Sequence, residues 1–263
     1  MTYLRYVAIG DSQTEGLNDG DEISGYRGWA DRLAEHLAAA DPDVRYANLA
    51  VRGRLAGQIR AQQVAPALAL KPDLVSVMAG MNDIPRPGSD PAVVAGEVEE
   101  MIRAFTATGA TVLTFTFPNI AVIAPMARRF LPKVLDFNDR LRDASKRHGA
   151  IVVDTFPYPV STDARLWSRD RLHAAPLGHE RIAAAAAHAL GLPGSDLAWA
   201  GELPPVRRPN ALLRTGAEVR WAAAFLGPWA IRRIRGRSSG DGRTAKRPDL
   251  LPVVRAGSTA PPW

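Results

Sequence analysis

Short apolar runs alternate with amphipathic stretches along the first 190 or so residues of the chain. Residues 3–10 are rich in aromatic and β-branched side chains, the signature of a buried strand. Comparable runs over 44–49, 74–78, 111–116 and 151–154 predict four more strands. Between the first two, Trp29, Leu33 and Leu37 recur four residues apart, which predicts an amphipathic helix over 28–40. Further helices are predicted over 56–70, with Pro66 as a kink, and over 91–108, 130–148 and 177–190. Asp90 offers a side-chain cap and Pro91 suits the first helical position. Residues 82–90 hold Pro85, Pro87 and Gly88 and predict a loop.

Each crossover is long enough to return the chain for parallel pairing. The alternation therefore predicts an α/β fold, a five-stranded parallel sheet with helices on both faces. Ligands of such sheets bind beyond the carboxyl ends of the strands. The loops at those ends read Gly10-Asp11-Ser12, Asn48-Leu49-Ala50-Val51-Arg52-Gly53 and Gly80-Met81-Asn82-Asp83, and Asp170-Arg171-Leu172-His173 follows the fifth strand.

This set suits acyl transfer. A serine hydroxyl needs a base to become a nucleophile, and His173 can take the proton of Ser12. Asp170, three residues earlier, can hold the other imidazole N–H and stabilise the imidazolium. The oxyanion needs fixed donors. The backbone N–H groups of Ser12 and Gly53 and the side-chain amide of Asn82 can supply them. Asp11 and Asp83 read as structural, and Arg52 and Arg54 as structural, solvated or facing an anionic group of a substrate. His179 reads as a core histidine of the last helix, since no third ligand stands at a metal-binding spacing from it and His173. There is no phosphate loop and no dinucleotide fingerprint.

The four blocks resemble those of the SGNH hydrolases, also called GDSL lipases/esterases, in the family's order and over roughly residues 3–190. The resemblance implies a three-layer α/β/α flavodoxin-like fold, a triad of Ser12, His173 and Asp170, and an oxyanion hole from Ser12, Gly53 and Asn82. It implies a small-molecule ester substrate, an acyl or acetyl ester, with no cofactor and no metal. Gln13 stands where the family's name motif has leucine. Ala50 stands where glycine is frequent in the second block. Ala174 follows the histidine where proline is frequent. An acyltransferase using the same triad, and a membrane- or partner-binding protein with a vestigial site, are the alternative functions.

Composition adds the organisation. The chain has 263 residues, 46% hydrophobic and 23% charged, which excludes a collagen-like or wholly disordered protein. This length suits one hydrolase domain over 1–192 and an extension over 193–263. No cysteine is present, which excludes disulfides and thiolate chemistry. No apolar run reaches about 18 residues, the length of a membrane span. The N-terminal apolar stretch is too short for a signal peptide, so a cytoplasmic location is expected. The net charge is +6. Residues 200–263 hold 12 Lys and Arg against 4 Asp and Glu, a net of +8, which leaves −2 for the rest. The extension is thus the basic part. It is expected to be helical over about 211–235 and disordered from 238 onward. Peripheral contact with a membrane is one role open to it; no nucleic-acid partner is expected. The sequence carries no sign of an oligomeric state.

Overall fold

A computed structural model describes residues 2–205, Trp221, Ala224 and 238–253. The elements in chain order are β1 (Arg5–Gly10), α1 (Ser12–Glu15), β2 (Gly20–Asp21), β3 (Gly25–Tyr26), α2 (Trp29–Ala40), β4 (Arg45–Asn48), α3 (Ala56–Ala69) and β5 (Leu74–Met78). They continue with α4 (Pro91–Thr106), β6 (Thr111–Phe115), α5 (Ile120–Ile123), α6 (Leu131–His148), β7 (Ile151–Val153), α7 (Pro176–Ala189) and β8 (Arg247–Pro252). All five predicted strands and the five helices predicted between residues 28 and 190 are present. Their ends differ from expectation by a residue or two, where side-chain pattern no longer decides. The β2–β3 hairpin and the short helices α1 and α5 carry no periodic pattern and were not expected.

The strands order as β7-β6-β5-β1-β4-β8, and β1, β4, β5, β6 and β7 pair in parallel. Helices α3, α4 and α6 pack together in one layer; α2 and α7 pack together in the other. From β1 the chain runs outward to β4, then crosses back to β5. The switch point thus lies between β1 and β5, where crevices open in sheets of this type. Burial follows the helical period: α2 buries Trp29, Leu33 and Leu37, and α4 buries Val94, Val98, Met101, Ile102 and Phe105. The Asp90 carboxylate accepts the Ala92 N–H and caps α4, and Gly149 ends α6 at φ +71°.

One expectation for the extension changes, and with it the strand count of the sheet. The sheet has a sixth strand, β8, antiparallel to β4. Residues 238–253 are therefore built into the fold, where their Gly, Arg and Pro content predicted disorder. They are held by polar contacts, with Ala245, Leu250 and Val253 packed against the core but spaced with no regular period. Arg243 pairs with Glu22 at 2.7 Å, Lys246 with Asp31 at 2.6 Å, and the Arg247 guanidinium donates to the Tyr46 carbonyl at 2.8 Å. Pro248 and Pro252 fit because β8 is an edge strand, which tolerates missing N–H groups, and it covers the free edge of β4. The helix expected over about 211–235 falls outside the described residues except at Trp221 and Ala224; residues 254–263 also fall outside them. No helix among the described residues is long and apolar enough to cross a membrane.

Candidate active site

Ser12 follows the carboxyl end of β1 and opens α1, whose cap is the Asp11 carboxylate accepting the Gln13 N–H. The turn that precedes α7 carries Asp170 and His173. Folding brings these 161-residue-distant segments together: His173 Nε2 lies 2.9 Å from Ser12 Oγ, and His173 Nδ1 lies 2.8 Å from Asp170 Oδ2. A carboxylate only accepts, so Nδ1 carries the proton and Nε2 of the neutral ring accepts from the Ser12 hydroxyl. Proton transfer out of Ser12 needs this tautomer. Ser12 is 6% exposed.

Asp170 is held from several directions. Its Oδ1 accepts from Ser168 Oγ at 2.6 Å, Leu172 N at 2.9 Å and His173 N at 3.0 Å; its Oδ2 also accepts from Asn18 Nδ2 at 3.1 Å. Burial alone would raise this carboxyl. The hydrogen bonds and the imidazole outweigh burial and hold it well below the usual carboxylate range. It therefore stays ionised beside His173.

The other predicted residues gather on the same side. Ser12, Gly53, Asn82, Asp170 and His173 all line one cavity of about 490 Å³. Among the described residues the backbone N–H groups of Ser12 and Gly53 have no hydrogen-bond partner. Asn82 is already engaged: its Nδ2 donates to Asp11 Oδ2 at 2.9 Å and to the Arg54 carbonyl at 3.1 Å. Gly53 adopts φ +74°, a conformation that favours glycine whatever the space around it, and a Cβ there would lie 2.3 Å from Ser238 Oγ. Asp11 is structural, joining the first and third blocks; burial raises its carboxyl to about 6. Asp83 Oδ2 accepts the Ala56 N–H at the start of α3. Arg52 is buried, donating to Glu15 from its backbone N–H at 2.7 Å and from Nε at 2.9 Å, and to Glu22 from Nη1 at 3.0 Å. It ties the second block to α1, so the reading as a substrate-facing cation falls away.

Several supports escaped the sequence reading. Asn18 and Ser168 hold Asp170. Gln63, within α3, spans both backbone groups of Gly10, accepting its N–H at 2.8 Å and donating to its carbonyl at 2.9 Å. That clamp fixes the residue two before the serine. Its sequence signal is only a glutamine at a buried position of the helix.

His179 is fully buried and serves the fold. Its Nδ1 accepts the Trp29 N–H at 3.1 Å and its Nε2 donates to the Leu17 carbonyl at 3.2 Å. Burial lowers it from 6.5 to about 4. The native ring thus stays neutral down to about pH 4, whereas the unfolded chain takes the proton near pH 6.5. Between those values the unfolded state binds more protons, so stability falls as pH falls, by roughly 3 kcal/mol in all. Asp11 acts in the opposite sense, because its raised carboxyl takes a proton earlier in the native state. Urea unfolding of wild type and His179→Gln across pH 7 to 4 isolates the histidine. The gap in stability should close on acidification; parallel curves would remove His179 as its source. Among the described residues, no group of three or more His, Cys, Asp or Glu side chains is arranged to hold a metal ion.

The chain is similar in fold to an α/β hydrolase, LAE5, from the metagenome of Lake Arreo (24% identity, TM-score 0.59, covering 71% of this chain and 94% of that one). It is also similar to a GDSL-like lipase from Parabacteroides merdae (19% identity, TM-score 0.63, 72% and 96% covered). A variant of Axe2, an acetyl xylan esterase from Geobacillus stearothermophilus, shares the fold too (18% identity, TM-score 0.58, 73% and 98% covered). None of the curated proteins compared matches the chain. The model of the GDSL-like lipase/acylhydrolase family matches residues 8–181, about two thirds of the chain, from β1 through the first turns of α7. Both the serine block and the histidine turn fall within that match, and the chain belongs to the GDSL-like lipase/acylhydrolase family of ester-cleaving enzymes.

Proposed function

We propose that this protein hydrolyses carboxylic esters with an apolar acyl chain, through an acyl-enzyme on Ser12. The observation that carries the reading is the hydrogen-bonded line from Asp170 through His173 to Ser12, opening on an apolar cavity. Phe115, Phe117, Ile123, Met126, Phe130 and Trp199 contribute apolar side chains to its lining. A cavity of about 490 Å³ has the size of a small-molecule site.

Ser12 Oγ attacks the ester carbonyl carbon as His173 Nε2 takes its proton. The imidazolium is stabilised by Asp170. Negative charge gathers on the former carbonyl oxygen, which the Ser12 and Gly53 N–H groups receive. Asn82 joins them once an amide hydrogen is shared between Asp11 and the oxyanion. Collapse breaks the ester C–O bond, and the departing alkoxide takes the proton from His173. Water then gives a proton to the same nitrogen, attacks the acyl-enzyme, and releases the acid and free Ser12.

The test is kcat/KM for chromogenic esters with acyl chains from two to twelve carbons. Burying added methylenes in the cavity should raise kcat/KM with length, by up to about fourfold per methylene at the start of the series. A flat series, or one that peaks at acetyl, would overturn the apolar acyl site.

A further inference from the structure

The hydrogen bond from Ser12 to His173 joins two loops far apart in sequence, and the turn carrying His173 is not self-sufficient. Its inward groups are paired within the turn: Ser168 N–H donates to the His173 carbonyl at 2.9 Å and Arg171 N–H to the Ser168 carbonyl at 3.0 Å. Leu172 N–H and His173 N–H both go to Asp170 Oδ1. Arg171 sits at φ +55°, a left-handed conformation that a residue with a side chain keeps only when its surroundings enforce it.

Three backbone groups of this turn point elsewhere, and two side chains outside it take them. The Gln13 amide bridges the backbone on either side of His173, donating from Nε2 to the Leu172 carbonyl at 3.0 Å and accepting the Ala174 N–H on Oε1 at 3.1 Å. Trp221 donates from Nε1 to the Asp170 carbonyl at 2.9 Å, and its ring faces the Arg171 guanidinium at 5.1 Å. The indole is buried, and it lies beyond the segment that the family model matches.

We propose that Gln13 and Trp221 are positioning residues for ester hydrolysis: together they clasp the Asp170–His173 turn and set its distance from Ser12. Gln13 is the more direct of the two. It adjoins the nucleophile, so one side chain links the backbone beside Ser12 to both flanks of the base. Leucine at this position can make neither bond. Trp221 brings the extension to the active site: it lines the cavity and holds Asp170 through that residue's backbone carbonyl. Neither residue meets the reacting atoms through these bonds, so both act on the rate through geometry. A displacement on the order of 1 Å of a reacting group can cost about a hundredfold.

The proposal rests on Ser12 hydrolysis as set out above, and the experiment separates the two. In the full chain, wild type, Gln13→Leu, Gln13→Met and Trp221→Phe are compared on one short ester. Measured for each are kcat per phosphonate-titrated site, KM, the rate of phosphonylation and the thermal midpoint. Wild type should turn over and be phosphonylated at Ser12. Gln13→Leu and Gln13→Met should lose about 10- to 100-fold in kcat and in phosphonylation rate, with KM within about twofold. Trp221→Phe, which keeps a ring but loses the donor, should lose about tenfold in the same two rates. A purely structural role would lower the thermal midpoint and the number of titrated sites while kcat per site stayed at the wild-type value. That outcome, or unchanged rates in folded variants, would overturn the clasp. An inert wild type would instead overturn the hydrolase reading.

Discussion

Replacing Ser12 with alanine will lower ester turnover by at least about 10⁴-fold and leave the protein folded. Among the described residues the Oγ atom makes one hydrogen bond, to His173 Nε2. What shapes the loop is elsewhere: Asp11 caps α1, and the Gly16 and Leu17 N–H groups donate to the Ser12 carbonyl at 3.1 and 3.0 Å. All of these survive the substitution. His173 Nε2 loses its donor, but its ring is one-fifth exposed at the cavity, where water can take the place of the hydroxyl. Circular dichroism and the thermal midpoint should therefore match wild type while steady-state hydrolysis vanishes. A folded Ser12→Ala protein with more than about a tenth of wild-type kcat would end the proposed mechanism.

Asp170→Asn should come second, with a loss of about 10⁴-fold in kcat. The reason lies in how the two carboxylate oxygens are used. Oδ1 accepts three hydrogen bonds, from Ser168, Leu172 and His173 N–H, so the single oxygen of asparagine belongs on that side. The amide NH₂ is then turned toward His173 Nδ1. Two donors cannot share that contact, so the imidazole proton moves to Nε2 and faces the Ser12 hydroxyl as a donor. The base is present but in the wrong tautomer, and its cation has lost its counter-ion. Steady-state kinetics beside a thermal midpoint would check this; a loss under about tenfold would show that the tautomer is fixed by something other than Asp170.

Both predictions concern residues that the sequence makes visible, and the reason is topological. In a parallel sheet every strand delivers its following loop to the same edge. Local reading of Tyr6 through Ser12, or of Leu74 through Asn82, therefore places distant residues side by side. Helices with wide apolar faces were legible for a similar reason, as Trp29, Leu33 and Leu37 show. What stayed hidden depends on contacts without a period. Residues Arg247–Pro252 carry two prolines and no alternation, and join the sheet through backbone pairing with β4 and polar anchors such as Lys246 to Asp31. Gln63, Gln13 and Asn18 use side-chain amides to reach backbone or carboxylate groups 53 to 161 residues away. Amides at such separations leave no pattern along the chain. Asn82 shows the limit from the other side: its place at the cavity was legible, but its bonds to Asp11 and Arg54 were not.

The central claim is that Ser12 is the nucleophile, and covalent labelling tests it most directly. The cavity lining also holds Ser161, Ser238 and Ser239, so a serine-directed phosphonate has several hydroxyls within reach. Among the described serines only Ser12 is paired with an imidazole that can remove its proton. Intact-mass and peptide mapping of the wild-type protein should find one phosphonyl group, on Ser12, with hydrolysis falling in proportion to its occupancy. A label on Ser161, Ser238 or Ser239 that abolishes activity, or full activity with Ser12 completely labelled, would contradict the account.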